Sequence, residues 1–143
     1  MAAHLPLCAA LLLACTARAA EPVTTTQLLR TRTTWNGAPI QYPRTEQPEI
    51  QSVVVEIAPG ASTAWHLHAV NNIAYLLEGK VRLELEDGRT REFRAGESFA
   101  EVVNTWHRGV NIGPGPLRIL VVYVGEAGVP ISTAKAPQVA GKP

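Results

Sequence analysis

Turn signals punctuate this chain so closely that little room is left for a long helix. Pro59-Gly60, Glu78-Gly79, Asp87-Gly88, Ala95-Gly96 and Gly113-Pro114-Gly115-Pro116 divide the middle of the sequence into segments of about 8 to 12 residues over most of its length, the spacing of short strands joined by tight turns. The segments have strand character. Ser52–Ala58 is β-branched and continuous, closed by Pro59-Gly60, and Val81–Glu86 alternates apolar and charged residues, so one face packs and the other is solvated. Further candidates are 64–68, 74–77, 90–93, 98–103, 108–112 and 117–124. No helical period and no internal repeat competes with them. The expectation is an all-β, antiparallel sandwich or barrel. At 143 residues the chain holds one such core.

The first residues read differently. Leu5–Ala14 is an almost wholly apolar run followed by Ala17-Arg18-Ala19, the pattern of a secretory leader cut after Ala19. A bilayer-spanning helix needs about 20 apolar residues, so the run is too short for an anchor. Leu12-Leu13-Ala14-Cys15 offers a rival reading as a lipoprotein signal with a lipid anchor on Cys15. On either reading the protein is exported, to the periplasm or beyond. Cys8 and Cys15 are the two cysteines, so cleavage after Ala19 leaves no thiol and no disulfide framework. Removal of Arg18 also balances the 12 acidic residues with as many basic ones. Such neutrality disfavours a nucleic-acid partner. The organisation expected is therefore a leader over 1–19, a Thr- and Pro-rich arm with short strands over 20–51, a β domain over 52–125 and a flexible tail over 126–143.

Chemistry concentrates on three histidines. His66 and His68 stand two apart in a strand candidate, so their side chains share a face about 6 to 7 Å apart at the backbone, close enough for two imidazoles to meet one ion. His107 has to reach them from another strand. Other polar residues carry two readings each. Asn111 ties a strand end or orients a ligand; Glu101 is an exposed strand residue, a hydrogen-bond partner for a ligating imidazole, or a replacement carboxylate. Tyr75 and Tyr123 pack, or bring a phenol to the site. Trp65 and Trp106 should point away from the histidines by alternation, and Arg108 and Arg118 are solvated or greet an anion.

The landmarks Gly60-x5-His66-x-His68-x3-Asn72-x6-Gly79 and Gly96-x10-His107-x3-Asn111 resemble the two motifs of the cupins, over about Val53 to Val124. Two departures stand out. Asn72, beside Asn71, occupies the place where the family usually has a metal-binding glutamate, and Val102 and Asn104 replace the customary Pro and Gly ahead of the second-motif histidine. The resemblance implies a jelly-roll double-stranded β-helix, a homodimer, and a single divalent transition metal held by His66, His68 and His107, with Asn72 a weak ligand or a group behind the ligands. Without the carboxylate, hard cations are held less well. Zn or Fe is favoured, with Cu, Ni and Mn as alternatives. Three neutral imidazoles leave the ion its full double charge, which welcomes an anion. The implied function is a metal-dependent enzyme, dioxygenase-like or a Lewis-acid lyase or isomerase, on a small organic molecule that could be anionic. The alternatives are a non-catalytic metal- or ligand-binding protein with a degenerate site, and an interaction domain with an empty pocket.

Overall fold

The computed structural model describes residues 23–136; the leader and the lipid-anchor reading at Cys15 lie outside them. Among the described residues nine strands form: β1 Pro48–Ile57, β2 His66–Leu67, β3 Asn71–Glu78, β4 Lys80–Leu85, β5 Thr90–Arg94, β6 Ser98–Ala100, β7 His107–Asn111, β8 Leu117–Glu126 and β9 Thr133–Ala134. They build two sheets of order β1-β8-β3-β6 and β5-β4-β7-β2-β9, and every strand pair is antiparallel. This is the all-β double-stranded β-helix that the turn spacing and the motifs imply. No helix among the described residues is long and apolar enough to cross a membrane.

Alternation sorts the side chains. Along β4, Val81, Leu83 and Leu85 are buried, while Arg82 and Glu84 face outward and Glu84 bridges Arg82 and Arg108 at 2.8 Å each. Leu76, Val81 and Leu117 are completely buried, and Phe93 of β5 stacks on Phe99 of β6 with ring centroids 4.1 Å apart, joining the two sheets. Removing this apolar surface from water is the main driving force for the fold. Gly79 makes the tight β3–β4 connection possible, with φ +84° and a would-be Cβ only 2.7 Å from the Pro116 carbonyl oxygen. Gly79→Ala should therefore cost about 2–4 kcal/mol in chemical denaturation, strain and clash acting together.

Several boundaries move from those expected. β1 begins at Pro48, inside the expected arm, because Pro48–Gln51 continue the pairing with β8 as far as Glu126. β1 is an edge strand, so a proline without an N–H is tolerated there. In the expected tail, β9 pairs with β2, opposing Ala134 to His66 and Thr133 to Leu67. β6 stops at Ala100 rather than Val103: the chain turns inward, burying Ala100, Glu101 and Val102 in succession, and Asn104 takes φ 49°. The arm lies against the barrel. Its Thr33–Pro39 bridge presents Trp35, whose backbone N–H donates to the Ala100 carbonyl at 2.9 Å.

Candidate metal centre

Strand pairing assembles the three histidines. His66 of β2 lies directly opposite His107 of β7, and His68 follows just past the end of β2. Ring centroids are 4.3 Å apart for His66 and His107, 4.9 Å for His66 and His68, and 4.9 Å for His68 and His107. One ring nitrogen from each lies within 4.8 Å of the others.

The backbone fixes which nitrogen is free. Nδ1 of His66, His68 and His107 sits 2.8, 2.6 and 2.8 Å from the carbonyl oxygens of Ala64, Ile131 and Thr105. A carbonyl only accepts, so each Nδ1 carries the hydrogen and donates it, and each Nε2 is left with a lone pair. Burial opposes protonation of all three. It lowers His66, brings His68 to about 4 against the opposing Ile131 hydrogen bond, and brings His107 to about 3 against that from Thr105. At neutral pH the centre presents neutral imidazoles, the form that binds metal. Nε2 of His107 is buried with no hydrogen-bond partner, a costly state for a lone polar atom and an ordinary one for a ligand. The donor set fits a divalent transition ion.

Beside it lies a cavity of about 60 Å³ with apolar walls that include Val55, Ile57, Leu83, Phe99, Ile119 and Val121. Asn72 of β3 lines it, 2% exposed, and its Nδ2 has no partner. Glu101 corrects the exposed-strand reading. It is 6% exposed, lines the cavity and places Oε2 3.8 Å from His107 Nε2. Its other oxygen accepts from the Trp35 indole N–H and from the Val102 N–H at 2.9 Å. Burial pushes the carboxyl up to about 7 despite these two hydrogen bonds, which favour the charged form. Tyr123 also lines the cavity, its ring edge-on to His68 at 5.2 Å; burial, reinforced by Glu101, pushes its phenol up to about 12.

The remaining candidates are structural. Asn111 donates from Nδ2 to the Ile57 and Gly115 carbonyls and accepts from the Gly113 N–H, all at 2.9 Å, so it ties the β7–β8 turn. Arg118 pairs with Glu56 at 3.0 Å, and Arg108, paired with Glu84, also lies over Trp65. Lys135 lies over Trp106. Neither arginine is among the residues lining the cavity, nor is Tyr75.

A family model for the cupin domain matches residues 53–123. The chain belongs to the cupin family. Among solved structures, this cupin is similar to the Lactobacillus farciminis oxalate decarboxylase formate complex, with 26% identity and TM-score 0.52 over 59% of this chain and 26% of that one. A DMSP lyase structure matches at 18% identity and TM-score 0.52, over 61% of this chain and 44% of the other. An uncharacterised Klebsiella pneumoniae protein with a double-stranded β-helix domain matches at 21% identity and TM-score 0.51, over 66% and 90%. The cupin thus spans about a quarter of the decarboxylase and under half of the lyase. No curated protein matches it.

Two site residues escape alignment with the family's motifs. Tyr123 was signalled by parity, standing in step with the inward-facing Ile119 and Val121 on β8. Trp35 carried no signal, because it comes from the arm.

Proposed function

We propose that this cupin is a metal-dependent enzyme, dioxygenase-like or a Lewis-acid lyase or isomerase, acting on a small organic and anionic molecule. The observation that carries this reading is the convergence of three imidazoles with every Nδ1 anchored and every Nε2 free. His66, His68 and His107 would hold one divalent ion, Zn or Fe first, then Cu or Ni, and Mn last, since imidazole suits the first four and Mn favours the carboxylate that Asn72 replaces. The ion supplies Lewis acidity, or electrons if it is iron or copper. Around it the chain's own groups divide the work. Asn72 offers an N–H donor, Tyr123 keeps its proton at neutral pH and donates from its hydroxyl, and the apolar walls exclude water. The cavity, about 60 Å³, admits only a very small ligand, with space equivalent to about two waters at roughly 30 Å³ each. Oxalate decarboxylase, whose formate complex is similar at 26% identity, gives a precedent for a ligand of that size. Export to the periplasm or beyond, and a homodimer, belong to the same proposal.

The test is turnover against a panel of small hydroxy- and oxo-acids. Activity should vanish on chelation and return with one metal; turnover that persists in chelator-treated protein contradicts the reading. If residue 72 faces the ion, Asn72→Glu should tighten Mn²⁺ binding by about tenfold and Zn²⁺ binding less. Unchanged Mn²⁺ affinity in calorimetry would place residue 72 away from the ion.

A further inference from the structure

With Glu101 ionised, as it is above about pH 7, two lone pairs face each other inside the cavity. His107 Nε2 is an acceptor, since its Nδ1 holds the ring hydrogen, and it has no partner. Glu101 Oε2 stands 3.8 Å away, beyond hydrogen-bond range. Oε1 already receives two N–H groups, from Trp35 and Val102. Acceptor against acceptor in a buried site is unfavourable unless a cation and a donor come between them. The arm fixes this arrangement. Trp35 is held by its backbone N–H on Ala100 at 2.9 Å and by Arg91, whose Nη1 donates to the Trp35 carbonyl at 3.2 Å. The indole can therefore hold Oε1 and leave Oε2 facing the cavity. Glu101 is not one of the three residues whose ligating atoms lie within 4.8 Å of one another, so its free oxygen stands beside the triad, on the cavity it lines.

We propose that Glu101, positioned by Trp35 of the arm, is the hydrogen-bond acceptor of this pocket, so that its ligand is a small molecule with an O–H or N–H beside the oxygen that meets the ion. The inference rests on the metal reading above. Asn72 Nδ2, the unpartnered donor in the same cavity, complements it by receiving a ligand oxygen.

Glu101→Gln tests this through a change of polarity. The Trp35 and Val102 N–H groups both demand an acceptor, so the glutamine carbonyl must turn to them and its NH₂ must face the cavity. In the zinc-loaded full chain at pH 8.5, acetohydroxamate, which brings a hydrogen to donate, should bind about ten- to hundredfold more weakly to Glu101→Gln, while azide, which has none, should bind as well or better. Trp35→Phe should move the ratio of the two dissociation constants in the same direction by about threefold, at unchanged zinc content. Equal shifts for both probes, or none, overturn the inference while leaving the metal reading intact. Loss of zinc from Glu101→Gln also overturns it, by making the carboxylate a ligand. A ratio unmoved by Trp35→Phe removes the positioning role of the indole. Failure of the wild-type chain to bind zinc removes the metal reading and the inference together.

Discussion

His107→Ala should abolish stoichiometric metal binding, with affinity for Zn²⁺ falling by at least about a hundredfold. His107 is 1% exposed and directly opposite His66, so no surface side chain can swing in to replace it. The two donors that remain, His66 and His68, come from one short segment and leave the ion open on the β7 side. The loss is read by calorimetric titration of chelator-treated protein. A melt provides a second readout, because an ion that binds only the native state raises apparent stability. Zinc should raise the midpoint of the wild type and leave that of His107→Ala where it is. A variant that still takes up one equivalent with unchanged affinity would place the ion elsewhere.

Acidification of the metal-free protein should produce the second large effect. Burial brings His68 down to about 4 and His107 down to about 3 in the folded chain, from the ordinary imidazole value of 6.5. Above pH 6.5 both states are neutral and these residues contribute no slope. Below it the unfolded chain binds protons that the native chain refuses, so stability falls by about 1.4 kcal/mol per pH unit for each imidazole. Glu101 acts in the opposite sense. Its folded value is raised to about 7 from 4.5, so the native state holds the extra proton in that window, and its contribution is complete below 4.5 and lost as pH rises through 7. The sum has a maximum near pH 6.5, a shallow fall to 4.5, where the carboxyl offsets one imidazole, and a steeper fall below. Urea denaturation at several pH values in the presence of chelator measures this profile. Glu101→Gln should remove the decline above pH 6.5 and, with no carboxyl left to offset an imidazole, steepen the fall between pH 6.5 and 4.5. A profile flat from pH 7 to 4 would contradict the buried, neutral triad.

Most of the fold was legible because the turns and the alternation are local properties. Val81–Leu85 shows its buried face in sequence, and the spacing of His66 and His68 forecasts a shared face that strand geometry delivers. What escaped depends on contacts distant in sequence. β9 is only Thr133–Ala134, both exposed, and nothing in two small residues announces that they pair with the His66 strand or that the nearby Ile131 carbonyl anchors His68. Glu101 was misjudged because a charged residue in a strand candidate is usually solvated, whereas here it follows the end of β6 at Ala100 and is held inside by Trp35 and Val102. Ala100, Glu101 and Val102 are buried in a row, a pattern that a one-sided strand does not give and that the arm, bonded through Trp35 to Ala100, helps produce. Glu101 and Asn72 are neighbours across the β3–β6 edge, where the Glu101 N–H donates to the Asn72 carbonyl at 3.1 Å. Trp35 reaches Glu101 from 66 positions away.

Elemental analysis of the protein, purified without a histidine tag or chelator, is the most direct measurement of the central claim. About one equivalent of a single transition metal per chain, absent from His66→Ala, is the expected result for a site with three neutral imidazole donors. Substoichiometric, mixed metals that persist in His66→Ala would contradict it.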